Sequence, residues 1–374
     1  MSQDIDELTN LRNDGLDWSI CPAIREFVNL QMFRVLVAED SATARELLVE
    51  ILRADPEIEV VGEANNGLEA VEMTKRLRPS VVTMDIRMPK MDGFEATRQI
   101  MVEAPTPIVI VSGISDLREV ENSMHALRLG ALAVLAKPPG PESPDFEEES
   151  RQLVQKVKAM AQVKVVRRWP ERIQAGLPPL PHIHPTARPR IVAIAASTGG
   201  PAALAHILCD MSPDFTLPVL VVQHMAKGFA GGFAAWLNTV ASLRVTVARE
   251  GEPLCARTVY LAPDDRHLGV VDASTIAISN AAPIDGFRPS GTFLFESVAK
   301  AFGNTMVAVV LTGMGTDGVA GLRAVRMAGG RIIAQDEETS VVFGMPGAAI
   351  SAGLADVTMP LGAISTRLRE LATS

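Results

Sequence analysis

Short apolar runs rich in Val, Ile, Leu and Ala recur along the chain, and they leave it few folds. They stand at Val35–Ala38, Ile58–Val61, Val81–Met84, Ile108–Val111 and Ala131–Ala136, then at Ile191–Ile194, Leu217–Val222 and Val307–Leu311. A strand with one wet face alternates polar and apolar residues, so continuous runs bounded by Gly or Pro belong to strands buried on both faces. Stretches with helical spacing lie between the runs, and a strand–helix–strand repeat builds a parallel sheet with helices on both sides. The expected fold class is α/β, with two doubly wound parallel-sheet domains joined by a proline-rich linker.

The boundaries follow from composition. Residues 1–32 are studded with Asp, Asn and Gly, lack alternation, and read as a disordered N-terminal extension. Met32 directly precedes the first strand and is an alternative initiator. Residues 33–150 form the first domain. Leu153, Val154, Val157 and Met160 recur at helical spacing and place a terminal helix over 146–163. Pro170, Pro178, Pro179, Pro181, Pro185 and Pro189 then crowd into one stretch that admits neither helix nor sheet. Residues 151–189 are therefore helix and semi-rigid spacer, and 190–374 form the second domain. Within it, a hairpin is expected around Asp272-Ala273-Ser274, joining Gly269–Val271 to Thr275–Ile278.

At 374 residues with 47% hydrophobic content, the chain can bury two cores. Its formal net charge of −9, without clustered Lys and Arg, argues against nucleic acid as a partner. Cys21, Cys209 and Cys255 are odd in number and far apart, which fits a reducing cytoplasm and no disulfide framework. No apolar run reaches the roughly 18 residues of a membrane span, and the acidic N-terminus lacks a signal peptide's apolar core. The expectation is a cytoplasmic protein without membrane insertion.

Ligands of open α/β sheets bind beyond the carboxyl ends of the strands. In the first domain those ends carry Glu39 and Asp40, then Asp85, Ser112, and Lys137 with Pro138. Three carboxylates in one small volume repel one another, and a hard, oxygen-preferring cation such as Mg²⁺ relieves the repulsion. A carboxylate beside such a cation and a lysine is suited to accept a phosphoryl group, because both positive charges offset the transferred oxygens. Ser112 would hydrogen-bond the arriving phosphoryl oxygen.

In the second domain three peptides follow apolar runs: Ala195-Ala196-Ser197-Thr198-Gly199-Gly200, Gln223-His224-Met225 and Thr312-Gly313-Met314-Gly315-Thr316-Asp317-Gly318. They set a hydroxyl, an imidazole and a carboxylate at strand ends. Ser197 would stand on a tight strand-to-helix turn, with N–H groups around Thr198 to Gly200 able to receive charge on a carbonyl oxygen. A serine hydroxyl needs a base, and an imidazole titrates near neutrality, so His224 would serve with Asp317 fixing its tautomer. His267 is the rival base, in what reads as a solvated loop. His182 and His184 lie in the spacer without further ligands, and His125 and His206 fall in helical patterns as surface or packing residues.

The peptide Asp85-Ile86-Arg87-Met88-Pro89-Lys90-Met91-Asp92-Gly93, with Lys137-Pro138, resembles a response-regulator receiver domain over residues 34–138. The whole order, receiver, proline-rich linker, then Ser, His and Asp, resembles the chemotaxis protein-glutamate methylesterases. Phe287-Arg288-Pro289-Ser290, Ala334-Gln335-Asp336 and Val341-Val342-Phe343-Gly344-Met345-Pro346 extend the likeness. The resemblance implies Asp85 as phosphorylated residue, Glu39, Asp40 and Asp85 as Mg²⁺ ligands, and Lys137 and Ser112 as phosphoryl contacts. It implies Ser197 as nucleophile, His224 as base, Asp317 as orienter and Met314 as a neighbour of the oxyanion. Hydrolysis of receptor glutamate methyl esters, and deamidation of glutamines, would then need no cofactor. Partners would be chemoreceptor helices as substrate and a histidine kinase as phosphoryl donor, and the unphosphorylated receiver would cover the active site.

The pattern is departed from in three places. Val134 stands where receivers place an aromatic switch residue, Ala195 replaces the usual glycine, and Gly291-Thr292 replaces the usual Val-Asp, which removes an acid near the site. Two rival functions follow: a receptor-binding adaptor without turnover, and a hydrolase for other esters.

Overall fold

The computed structural model of the protein describes residues 32–113, 126, 131–163 and 187–373. The expected N-terminal extension, most of the proline-rich spacer, and His125, His182 and His184 lie outside the described residues. In the first domain, β1 (Phe33–Ala38), α1 (Ala42–Arg53), β2 (Ile58–Ala64), α2 (Gly67–Leu77), β3 (Val81–Met84), α3 (Gly93–Glu103), β4 (Ile108–Ser112), β5 (Ala133–Ala136) and α4 (Phe146–Ala161) follow one another. The strands pair in parallel in the order β2-β1-β3-β4-β5. The sheet order reverses direction at β1, so the tips of β1 and β3 flank the switch point, where doubly wound sheets bind ligands.

The sequence starts its helices by local chemistry. Asn66 and Asp92 accept hydrogen bonds from the N–H of Glu69 and Glu95 at 3.0 and 2.9 Å, which satisfies donors that the first helical turn leaves open. Gly93 opens α3 for a further reason. A Cβ there would run into the carbonyl oxygen of Asp85.

The second domain runs β6 (Ile191–Ala196), α5 (Gly200–Asp210), β7 (Val219–Gln223), α6 (Ala230–Val240), β8 (Arg244–Val247), β9 (Thr258–Leu261), β10 (His267–Val270) and β11 (Ile276–Ser279). It continues through α7 (Gly291–Phe302), β12 (Met306–Val310), α8 (Val319–Met327), β13 (Arg331–Gln335), α9 (Met345–Ser351), β14 (Val357–Met359) and α10 (Leu361–Thr373). Seven parallel strands form one sheet in the order β14-β13-β12-β6-β7-β9-β8, and β10 and β11 make the expected antiparallel hairpin. Every residue of β6, β7 and β12 is buried, as continuous apolar runs require. Burying a Val or Leu side chain is worth about 1.5–3 kcal/mol, so these three strands anchor the domain. They are also the strands that end in Ser197, His224 and the loop to Asp317.

The two domains touch through apolar side chains. Met84, Ile100 and Ala126 belong to one continuous cluster with Leu204, Phe229 and Phe233. Val342 of the second domain packs against the first domain's cluster of Val35, Val109 and Leu135. Among the described residues, no helix is long and apolar enough to cross a membrane.

Candidate active site and phosphoacceptor pocket

The first-domain pocket gathers its residues as their strand-end positions require. Glu39 is fully buried and Asp85 nearly so, and Lys137 Nζ lies 2.8 Å from Glu39 Oε2 and 3.1 Å from Asp85 Oδ2. Glu39, Asp40 and Asp85 present carboxylate oxygens within 4.8 Å of one another. Burial raises the pKa of Glu39 and of Asp85 above the ordinary carboxylate range, although Lys137 pulls both down. Burial lowers the Lys137 pKa, but Glu39 and Asp85 outweigh it and the net shift is upward. One ammonium is thus shared by Glu39 and Asp85, and both still hold their protons more tightly than in water. An all-oxygen donor set with this unmet negative charge fits a hard divalent cation. A cavity of about 520 Å³ opens beside it, lined by Asp40, Ile86, Arg87, Met88, Pro89, Asp92 and Phe94. Ser112 is buried at the neighbouring strand end, and its hydroxyl donates to Gly113 O over 3.4 Å.

The second site is built at the carboxyl rim where the sheet order reverses around β6. Ala196 pairs with Gln223 in the β6–β7 ladder, so Ser197 and His224 are the next residues on neighbouring parallel strands. Neighbouring strands lie roughly 4.8 Å apart. Gln223 fastens the two tips together, its amide donating to Ser197 O at 2.8 Å and to His224 O at 2.9 Å. On the other flank, Ser197 N–H donates to Thr312 O at 3.0 Å. A Cβ on Gly313 would come within 2.7 Å of Ser197 Cβ, so glycine lets the β12 loop close on the serine. Gly199 turns the chain into α5 at φ 77°, a left-handed conformation that glycine adopts without strain. Gly200 N–H is taken by Ser197 O at 2.8 Å, leaving the turn's N–H groups at Thr198 and Gly199 as the candidates to receive charge.

His224 and Asp317 meet directly. His224 Nε2 lies 2.8 Å from Asp317 Oδ2, and His224 Nδ1 is buried without a hydrogen-bond partner. Phe287 stacks on the imidazole with ring centroids 4.2 Å apart. Asp317 is 2% exposed and surrounded by donors. Ser290 Oγ donates to its Oδ1 at 2.7 Å, and the N–H groups of Gly291 and Thr292 reach Oδ2 and Oδ1 at 2.6 and 3.2 Å. Burial alone would raise this carboxyl, but His224, Ser290 and Gly291 outweigh it and bring the pKa to about 2.

Sequence reasoning placed Ser197, His224 and Asp317 on one rim, and the structure brings them there. It did not assign Ser290, the N-cap of α7, or Gly291 and Thr292 of its first turn the role of cradling Asp317. The serine of Phe287-Arg288-Pro289-Ser290 was the available signal, because Ser before an apolar helix marks an N-cap. Met314 is half-buried in the loop between Gly313 and Asp317. His267 corrects an expectation. It is fully buried rather than in a solvated loop, with Nδ1 accepting from Ser290 N–H at 3.2 Å and Nε2 3.1 Å from Ala282 O. The hairpin residue Leu268 and the stacked Phe293 ring exclude water around it, and both ring nitrogens are engaged away from Ser197. Thr292 is buried, and its Oγ1 accepts from Gly318 N–H at 3.0 Å.

The fold and these two sites define a class: a two-domain α/β protein with an acidic, lysine-bearing receiver pocket and a hydroxyl–imidazole–carboxylate site in its second domain. Residues 35–143 match the response regulator receiver domain family and residues 192–368 match the CheB methylesterase family. Protein-glutamate methylesterase/protein-glutamine glutaminase 4 of Myxococcus xanthus is 58% identical over 90% of this chain and 96% of its own length. Protein-glutamate methylesterase/protein-glutamine glutaminase 3 of Anaeromyxobacter dehalogenans is 54% identical over 90% of this chain and 98% of its own. The crystal structure of the Thermotoga maritima CheB methylesterase catalytic domain is 38% identical, with a TM-score of 0.48, covering 50% of this chain and all of that one. The chain belongs to the protein-glutamate methylesterase/protein-glutamine glutaminase family.

Proposed function

We propose that the second domain hydrolyses glutamate γ-methyl esters, and the equivalent glutamine amides, on the cytoplasmic helices of chemoreceptors, under control of phosphorylation at Asp85. The observation that carries this reading is the Nε2–Oδ2 hydrogen bond of His224 and Asp317, with the other imidazole nitrogen unpartnered and Ser197 the next residue on the neighbouring strand. Asp317 holds the proton on Nε2, which leaves a lone pair on Nδ1 for the Ser197 hydroxyl. Ser197 Oγ attacks the ester carbon as its proton passes to Nδ1, and the N–H groups of Thr198 and Gly199 take the charge on the carbonyl oxygen. Met314 borders that oxygen. The imidazolium returns the proton to the departing methoxide, so the C–O bond breaks and methanol leaves a glutamyl-serine ester. Water then attacks that ester and gives a proton to Nδ1, which passes it to Ser197 Oγ as the acyl C–O bond breaks, and the glutamic acid released loses its proton to solvent as the carboxylate. With an amide the leaving group is ammonia. No step needs a cofactor.

In the first domain, Glu39, Asp40 and Asp85 would hold Mg²⁺, which supplies positive charge for phosphoryl transfer. Asp85 accepts the phosphoryl group from a histidine kinase, Lys137 pairs with its oxygens and Ser112 hydrogen-bonds them. The deciding experiment measures methanol release from methylated receptor fragments, beside hydrolysis of generic small esters, for wild type and Ser197→Ala. Release from receptor that Ser197→Ala abolishes supports the reading. Turnover of small esters alone replaces it with another hydrolase, and no turnover of either leaves the adaptor.

A further inference from the structure

Gly291 carries no backbone strain that would call for glycine, since its φ lies outside the left-handed region. Space is the reason for it. A Cβ at 291 would stand 2.9 Å from Ala195 Cβ and 3.3 Å from Asp317 Oδ2. The first separation is under 3.0 Å and forces a shift, and the second asks Asp317 to give by a few tenths of an ångström. Ala195 is fully buried on β6 and paired on both sides, with Val310 of β12 and Val222 of β7. Its methyl has no rotamer by which to withdraw. On the far side of the α7 turn, a Cβ on Gly321 of α8 would come within 2.5 Å of Thr292 O, so α7 is already packed closely against α8. The first turn of α7 is wedged between β6 and α8. Any displacement at 291 therefore moves the N–H that bonds Asp317 Oδ2 at 2.6 Å, the same oxygen that meets His224 Nε2.

We propose that Ala195 and Gly291 are coupled positioning residues: the methyl of one occupies the room the other leaves, and together they set how closely α7 presents its N–H groups to Asp317. The inference rests on the proposed esterase reading and refines it. Neither residue touches substrate. Each acts through Asp317 on the orientation of the imidazole.

The test is a double-mutant cycle in the full chain: wild type, Ala195→Gly, Gly291→Ala and the double variant. Gly291→Ala is expected to lower kcat roughly tenfold or more, the cost of weakening one charge-assisted hydrogen bond on the orienting acid, with KM nearly unchanged. Adding Ala195→Gly should restore kcat to within about threefold of Ala195→Gly alone, because the new methyl then has room. A second readout needs no substrate. The low-field proton resonance of the His224 Nε2–H···Asp317 hydrogen bond should shift or vanish in Gly291→Ala and return in the double variant. Should Gly291→Ala fail to fold, recovery of a cooperative thermal transition in the double variant takes the place of recovered kcat. Additive effects in the cycle, or a Gly291→Ala chain with native kcat and native proton resonance, overturn the proposal. If wild type releases no methanol, the esterase reading fails by itself, and the resonance and the melting curves still decide the coupling.

Discussion

At the residue scale, buried carboxylates in the two domains are driven in opposite directions. Asp317 sits among four donors and falls to about 2, while Glu39 and Asp85 share one lysine and rise above their ordinary values. A carboxyl whose folded pKa lies below its unfolded 3.8 adds stability above that pH and loses it as pH falls toward 2. For Asp317 the difference is worth about 2 kcal/mol. Asp317→Asn places an amide among donors that need an acceptor and leaves the imidazole without its anionic partner. We expect kcat to fall by about 10³–10⁴, as when the acid of a Ser-His-Asp triad is lost. The stability deficit of this variant, measured by urea unfolding, should be smaller at pH 3 than at pH 6 by about 1 kcal/mol. For Glu39 and Asp85 the sign reverses: their raised folded pKa values favour folding at low pH, and that advantage is lost as pH rises through them. At pH 7.5 the crowded pocket therefore opposes folding, so Asp85→Asn should raise the melting temperature of the metal-free protein. Mg²⁺ should raise it in wild type and far less in Asp85→Asn. A destabilised Asp85→Asn chain would contradict this account of the pocket.

At the element scale, strand tips and helix starts position both sites. Asp92 caps α3 while Gly93 lets that helix lie against the Asp85 carbonyl, so the helix start and Asp85 share one backbone contact. Gly93→Ala should cost about 1–3 kcal/mol of stability, the usual range for an overpacked buried position. It should also slow labelling of Asp85 by a small phosphodonor more than it lowers helix content, which separates a displaced acceptor from an unfolded domain. The strands were legible in the sequence because burial on both faces writes itself as continuous apolar runs, and β6, β7 and β12 fall where those runs do. Ser197, His224 and Asp317 were legible for the same reason, each being tied to a strand end. The cradle around Asp317 was not. Whether the N–H of Gly291 meets a carboxylate depends on how α7 packs against β6 and α8, a three-dimensional register that no local pattern encodes. His267 failed as a loop residue on similar grounds, since the polar peptide before it hides that its ring turns inward beneath Ser290.

At the scale of the whole molecule, the proposed phosphorylation at Asp85 would have to act on Ser197 through the contact between the domains. The receiver has Val134 rather than an aromatic residue on β5, and that side chain packs half-buried against the apolar cluster shared by both domains. Val342 gives the receiver a second hold on the site. It packs against the receiver core, while its N–H and C=O bond Thr312 Oγ1 at 2.9 Å and Gly313 N–H at 3.0 Å, the residues that flank Ser197. A ligand shifts a conformational equilibrium only by its differential affinity for the two states, so a tenfold rise in activity needs about 1.4 kcal/mol of phosphorylation-dependent loosening at this contact. That is comparable to burial of a few apolar carbons. We therefore expect a phosphodonor with Mg²⁺ to raise methanol release severalfold and to speed amide hydrogen exchange over residues 341–345, with neither change in Asp85→Asn. Faster turnover with unchanged exchange across 341–345 would mean that the signal bypasses Val342 and travels through the shared cluster around Val134 instead.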